Sequence, residues 1–169
     1  MSDPYVEWKL ADFTHWAVYL HENQYYLGRC YIWLKRDVVD LMDVSVTEYL
    51  ELMLIANKLK RVLNQLWLPD QYNWAALGNC TPHCHLHVIP RYQQSREFGG
   101  LVFADARWGQ NYVPYDKTFK LTQAQLILIR DALIRQLHLD NHGAWQVTYL
   151  DRSSATHNTV FGGFGNDDR

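Results

Sequence analysis

The sequence of 169 residues lacks the features of a disulfide-rich or membrane-spanning protein. Its three cysteines, Cys30, Cys80 and Cys84, are irregularly spaced and include no CxxC pair, so a disulfide framework is not expected. No stretch approaches the roughly 20 apolar residues that span a bilayer, and the N-terminus lacks the basic start and apolar run of a secretory signal. We therefore expect a cytoplasmic protein with no membrane partner.

A surplus of basic residues is also missing. The formal net charge of -2 argues against a broad nucleic-acid-binding surface, which requires clustered positive charge. A small phosphorylated ligand needs only a local positive patch and stays compatible with this charge. Without internal repeats or low-complexity linkers, we expect one domain over residues 1–150 and a flexible, polar C-terminal tail over residues 151–169.

Hydrophobic patterning predicts strands and two main helices. Ser45 with Glu48, and Thr122 with Gln125, have the spacing of capping boxes, and apolar residues follow both at helical intervals. They predict helices over residues 46–66 and 123–138. Short aromatic and β-branched runs predict strands at residues 15–20, 30–34 (these two paired), 72–77, 83–89 and 144–150. Strands and helices that do not strictly alternate indicate an α+β fold.

The most informative segment contains His83, His85 and His87. In a strand, every second side chain points to the same face, so the three imidazoles are expected to project together while the intervening apolar residues pack into the core. Such a row has three interpretations: a solvated sheet face, a zinc site, or a track for a phosphate chain. The outer two histidines start from Cα atoms roughly 13 Å apart, at about 3.3 Å per residue, so all three cannot easily bind one zinc ion. The extended row suits a phosphate chain best.

Imidazole chemistry favours catalysis at the middle histidine. A neutral imidazole is nucleophilic near pH 7, and it can bond to phosphorus and then release the phosphoryl group to water. His85 alone has a histidine on each side in the alternating row. The neighbouring rings can donate hydrogen bonds to phosphoryl oxygens during the reaction. Arg91, just after the row, either neutralises a polyphosphate or extends to solvent at the strand end.

The motif His83-x-His85-x-His87 resembles the signature of the histidine triad (HIT) family, and residues 89–91 (Ile-Pro-Arg) match its frequent continuation. The resemblance covers roughly residues 13–92, and residues 73–79 are similar to a short-loop bacterial branch. It implies an antiparallel sheet with two main helices, homodimers, and hydrolysis or nucleotidyl transfer at the α-phosphate of a nucleotide.

The resemblance also assigns expected roles. His85 corresponds to the nucleophile, His87 to the histidine that binds phosphate, and His83 to the one that orients the pair. Expected nucleotide or phosphate contacts lie elsewhere in the chain. Asn73 and Asn79 correspond to phosphate-contacting amides, and Cys80 stands where Ser or Thr is common. Glu22 or Asn23 is near an acidic ribose-binding position. Arg29 replaces the histidine that often follows the glycine at Gly28.

We therefore expect a nucleotide hydrolase or nucleotidyl transferase that forms a covalent nucleotidyl-His85 intermediate. No cofactor or metal is expected to be required, although Mg²⁺ would accompany a polyphosphate substrate. Dinucleoside polyphosphates, nucleoside phosphoramidates and aminoacyl adenylates all remain open as substrates. Two alternatives remain, a nucleotide-binding or sensing module with little catalysis and a zinc-dependent hydrolase.

Overall fold

A five-stranded antiparallel sheet is the centre of the computed structural model, which describes residues 6–140. The strands of the sheet are β1 (Lys9–Asp12), β2 (Trp16–Leu20), β3 (Cys30–Leu34), β4 (Gln71–Ala75) and β5 (His85–Arg91). They have the spatial order β1-β2-β3-β5-β4. The predicted pairing of the first two aromatic runs is confirmed, since β2 and β3 pair from Trp16 opposite Leu34 to Leu20 opposite Cys30.

Two long helices follow the predicted capping boxes. Helix α1 (Val46–Trp67) begins after Ser45, whose hydroxyl accepts from the backbone N–H of Glu48 while the Glu48 carboxylate accepts from the backbone N–H of Ser45. Helix α2 (Gln123–Leu139) has the same reciprocal cap at Thr122. Both predicted helices are confirmed to within one residue at each end. They begin at the caps because the capping side chains satisfy backbone N–H groups that would otherwise lack partners. Short 3₁₀ turns lie at Val6–Trp8 and Leu41–Asp43.

The hydrophobic core lies between one face of the sheet and the two helices, α1 and α2. The side chains of Cys84, Leu86 and Val88 belong to this core, as predicted from the alternation along the histidine segment. The indole N–H of Trp16 donates to the carbonyl oxygen of Glu48 at 2.8 Å, which ties the start of α1 to β2. The opposite sheet face is therefore left for the histidines.

A second, two-stranded sheet was not predicted from the sequence. It consists of β6 (Arg96–Phe98) and β7 (Leu101–Phe103), joined by two glycines with positive φ. The connection from β7 to α2, residues 104–122, contacts the loop between β2 and β3, since the Tyr26 hydroxyl donates to the carbonyl oxygen of Tyr112 at 2.7 Å. Each of these two strands has only three residues, which is too short for a clear alternating pattern.

Two predictions fall beyond the part of the chain that the structure describes. The strand expected at residues 144–150 and the tail expected at residues 151–169 both lie outside residues 6–140. Within that range, neither helix is both long enough and apolar enough to cross a membrane.

Candidate active site

The histidine segment lies on β5 and just before it. His85 is opposite Trp33 and His87 is opposite Tyr31 in the antiparallel pairing with β3. His83 precedes the strand instead of beginning it as expected, because its backbone N–H bonds to the carbonyl oxygen of Thr81 in a turn. Its ring nevertheless reaches the same side of the sheet. It stacks on the indole of Trp33 with ring centroids 4.0 Å apart.

Hydrogen bonds determine which nitrogen of each neutral imidazole carries the proton. His85 Nδ1 lies 2.7 Å from the carbonyl oxygen of His83, which can only accept, so Nδ1 is the donor. In the neutral ring the lone pair is then on Nε2. This Nε2 atom lies 3.2 Å from Nε2 of His87. His87 therefore donates from Nε2, and the row presents one nucleophilic nitrogen beside one N–H donor.

Burial keeps two imidazoles of the site uncharged. Desolvation, followed by the positive charge of Arg29, lowers the pKa of His87 to about 4. The same causes, in the same order, lower the pKa of His21 to about 3. The pKa of His83 is also lowered, mainly by burial. Near pH 7, His21 and His87 are thus hydrogen-bond donors without charge.

A cavity of about 190 Å³ opens beside these rings. His85 and His87 form part of its wall, and aromatic side chains form much of the rest. The complete lining is Trp8, Leu20, His21, Glu22, Tyr31, Trp33, Thr81, His85 and His87. An aromatic wall with a few polar groups is typical of sites for small organic ligands.

His21 and Trp8 are site residues that reasoning from the sequence missed. His21 follows β2 directly, and its ring centroid lies 6.0 Å from that of His87. Its Nδ1 accepts from the backbone N–H of Asn23 at 3.0 Å, so Nε2 carries the proton in the neutral ring. The pairing of β2 with β3 was an available signal, because Leu20 is opposite Cys30 and the residue after Leu20 therefore lies beside the start of β3.

The structure separates the two residues considered for a ribose contact. Glu22 lines the cavity, where its carboxylate accepts from the indole N–H of Trp8 at 3.1 Å. Asn23 points away from the cavity lining, because its side-chain amide donates to the carbonyl oxygens of Asp116 and Phe119. Glu22 is therefore the acidic group positioned to meet a ligand.

Arg91 and Asn73 belong to a buried network outside the cavity lining. Arg91 forms an ion pair with Asp105 at 2.6 Å, and both side chains are almost fully buried. It also donates to Asn73 Oδ1 and to the carbonyl oxygens of Gln110 and Arg107. All five N–H donors of this guanidinium are occupied. Arg91 thus holds residues 104–111 on the sheet, and the phosphate contacts expected for Arg91 and Asn73 stay predictions.

The other residues expected to contact the nucleotide or phosphate, Asn79, Cys80 and Arg29, are not among the residues that line the cavity. Asn79 and Cys80 are exposed in the loop before His83 and do not line the cavity, whereas the neighbouring Thr81 does. Arg29 is only 4% exposed and its guanidinium lies 4.5 Å from the ring centre of Tyr115.

Among residues 6–140, no group of three or more His, Cys, Asp or Glu side chains has an arrangement suited to a metal ion.

A five-stranded antiparallel sheet with two helices and a row of histidines at a cavity defines a histidine triad protein. Residues 9–94 match the family model of the HIT domain, and the chain belongs to the HIT domain family. Members of this family are generally nucleotide-binding hydrolases or transferases. No curated protein matches the chain.

Solved structures share the fold at low sequence identity. A histidine triad protein from Bradyrhizobium japonicum has a TM-score of 0.65 and 21% identity, over 81% of this chain and 96% of its own. A histidine triad (HIT) protein from Sinorhizobium meliloti has a TM-score of 0.63 and 15% identity, over 76% and 87%. A hypothetical histidine triad nucleotide-binding protein from Sulfolobus tokodaii has a TM-score of 0.59 and 12% identity, over 78% and 84%.

Proposed function

We propose that the protein is a nucleotide hydrolase or nucleotidyl transferase that acts at the α-phosphate through a covalent intermediate on His85. The observation that carries this proposal is the hydrogen bond from His85 Nδ1 to the carbonyl oxygen of His83, at 2.7 Å. It leaves the Nε2 lone pair of the neutral ring on the side of His87, at the cavity wall. A nucleophile with a fixed tautomer beside a neutral donor is suited to attack on phosphorus.

The reaction has two steps. His85 Nε2 attacks the α-phosphorus, and the bond from phosphorus to the leaving group breaks with its electron pair on the leaving group. The hydrogen on His87 Nε2 is close enough to bond to a phosphoryl oxygen as negative charge moves there. Water, or an acceptor alcohol in transfer, then attacks phosphorus and loses a proton to solvent, and the electron pair of the phosphorus–nitrogen bond returns to His85 Nε2.

The other residues have supporting roles in this proposal. His83 orients His85 through its carbonyl oxygen, and Glu22 is placed to accept hydrogen bonds from ribose hydroxyls. The Sulfolobus tokodaii protein of similar fold is named as nucleotide-binding, which agrees with a nucleotide ligand. No metal takes part in the step at His85, and Mg²⁺ would enter with a polyphosphate substrate. Homodimer formation and a cytoplasmic location stay predictions from the sequence.

Trapping the intermediate tests this function. The full chain is mixed with α-³²P-labelled dinucleoside polyphosphate or nucleoside phosphoramidate and quenched within milliseconds in denaturant at pH 8, where phosphorus–nitrogen bonds to histidine persist. We expect label on the peptide that contains His85, and none in the His85→Asn variant. A matched control is His138→Asn, on the exposed end of α2, which should label like the wild type. Tight nucleotide binding without label would favour a binding or sensing module.

A further inference from the structure

Arg29 carries a buried positive charge that no carboxylate among residues 6–140 neutralises by an ion pair. It is 4% exposed, and its Nε and Nη1 atoms are buried without a hydrogen-bond partner in that range. The described contact of the guanidinium is with the face of the Tyr115 ring, at 4.5 Å. Arg29 does not itself line the cavity, but its charge acts on His21 and His87, which do. A buried ion is costly unless it is paired, so a guanidinium without an ion pair among residues 6–140, next to these two rings, indicates a position for an anion.

The side chain lies beside one end of the histidine row. Tyr31 is opposite His87, and Arg29 precedes Tyr31 by two residues, so Arg29 is on the same sheet face and diagonal to His87. Long side chains reach such diagonal neighbours across a sheet. The backbone also joins Arg29 to His21, whose N–H donates to the carbonyl oxygen of Arg29 at 3.0 Å. The charge of Arg29 acts on the imidazoles of both His21 and His87.

His21 supplies a neutral donor next to this charge. Its Nδ1 accepts from the backbone N–H of Asn23, which leaves the hydrogen of the neutral ring on Nε2. His21 lines the same cavity as His85 and His87. Arg29 Nε and Nη1, which have no hydrogen-bond partner within residues 6–140, and the neutral donor of His21 together suit phosphate oxygens. Ionised phosphate oxygens accept hydrogen bonds and cannot donate them.

We propose that Arg29 and His21 form a second anion subsite, beside His87, which holds the phosphate that follows the α-phosphate of the substrate. This inference rests on the proposed function, which places the α-phosphate at His85 and His87. It distinguishes among the substrate classes left open by the sequence. Nucleotides whose leaving group begins with a phosphate gain from this subsite, whereas phosphoramidates and aminoacyl adenylates, whose leaving groups carry no phosphate there, do not.

Calorimetric titration with inorganic phosphate and with pyrophosphate tests the subsite without assuming a base or a reaction. We expect the wild-type chain to bind pyrophosphate at least about 10-fold more tightly than phosphate, the gain from one charged hydrogen-bonded contact. In Arg29→Gln, pyrophosphate affinity should fall about 10-fold or more, with phosphate affinity changed less than about 3-fold. Arg135→Gln, on an exposed part of α2, is the matched control and should change neither.

A second variant keeps the test decisive if Arg29→Gln does not fold. His21→Phe keeps a ring of similar shape but removes the donor, and it should reduce the preference for pyrophosphate in the same selective way. Equal losses for phosphate and pyrophosphate in both variants, or no preference in the wild type, would overturn the proposal. Failure to trap nucleotidyl-His85 is a separate result, because it leaves the pyrophosphate preference unaffected and rejects only the proposed reaction.

Discussion

The indole of Trp33 lies parallel to the imidazole of His83, with centroids 4.0 Å apart and planes inclined by 8°. The same indole is stacked near His85, at 5.5 Å and 21°. Trp33 is opposite His85 in the sheet, so a side chain of β3 holds two rings of the histidine row at once. The position of the proposed nucleophile therefore depends on an aromatic residue from the neighbouring strand.

Replacing Trp33 is expected to affect the chemical step. Trp33→Leu removes the stacking surface, and a small displacement of the nucleophile is enough to lower kcat about 10-fold or more. Trp33→Phe retains a ring and should keep most of the activity. Steady-state kinetics with a nucleotide substrate, in parallel with urea unfolding, separates positioning from stability. Equal kcat in the Leu and Phe variants would contradict this role.

Replacing His85 is expected to abolish turnover. His85→Asn removes the nucleophilic Nε2 atom, and loss of a nucleophile lowers kcat by at least about 10³-fold. Circular dichroism should show an intact fold, because the ring faces the cavity and the core is on the opposite sheet face. Turnover near the wild-type value in the purified, metal-free variant would defeat the assignment.

Breaking the buried ion pair of Arg91 is expected to destabilise the fold. In Asp105→Asn the guanidinium stays buried without its counter-charge, which costs about 3–5 kcal/mol in the free energy of unfolding. Asp131→Asn is the control, since its pair with Arg130 is partly exposed and should contribute at most about 1 kcal/mol. Urea unfolding measures both. A similar small loss for the two variants would show that Asp105 does not balance Arg91.

Adding a methyl group at Gly28 is expected to be costly. Gly28 has a φ of +79°, and a Cβ atom there would lie 2.7 Å from side-chain atoms of Leu63 and Trp67. Left-handed strain of about 1–2 kcal/mol adds to overpacking of about 1–3 kcal/mol. Gly78→Ala is the matched control, because its φ is +61° but nothing lies within 4 Å. Thermal or urea unfolding should show a larger loss for Gly28→Ala, and equal losses would exclude the steric contribution.

Stability is expected to fall as the pH decreases below about 6.5. In the unfolded chain, His21 and His87 bind a proton near pH 6.5. In the folded chain, their pKa values are lowered, to about 3 for His21 and about 4 for His87, so both stay unprotonated to a much lower pH. Their effect on stability is absent above pH 6.5 and grows as the pH falls through 5.5 and 4.5. Each histidine contributes at most about 1.4 kcal/mol per pH unit.

Urea unfolding between pH 7.5 and 4.5 measures this slope before the reference carboxyl pKa values are reached. His21→Gln and His87→Gln should each flatten the slope, since glutamine does not titrate. A slope that neither variant changes would place the pH dependence in other groups.

Much of the fold was predictable from local patterns. The reciprocal caps at Ser45 and Thr122 determine where both helices begin, and the aromatic runs of β2 and β3 determine a hairpin, because such signals act over a few residues. Alternation along β5 also predicted which residues enter the core. The start of that strand was less predictable: Pro82 favours a turn, but a backbone hydrogen bond from His83 to Thr81 decides that the strand begins after His83.

The partners of the site were harder to predict. Arg91 follows the histidines directly and looked suited to phosphate, but Asp105, from beyond β7, occupies it. The sequence did not assign His21 to the site, yet its ring lies beside that of His87. Both outcomes depend on residues that are distant in sequence.

The sequence alone determined that three imidazoles would lie on one side of an apolar-backed segment, because side chains of an extended chain alternate between two faces. Tertiary structure decided which nitrogen of His85 is left to react, and which buried arginine, Arg91 or Arg29, has a carboxylate partner among residues 6–140. Those outcomes depend on hydrogen bonds and ion pairs between residues of different strands and loops. Such residues come within bonding distance only after the chain has folded.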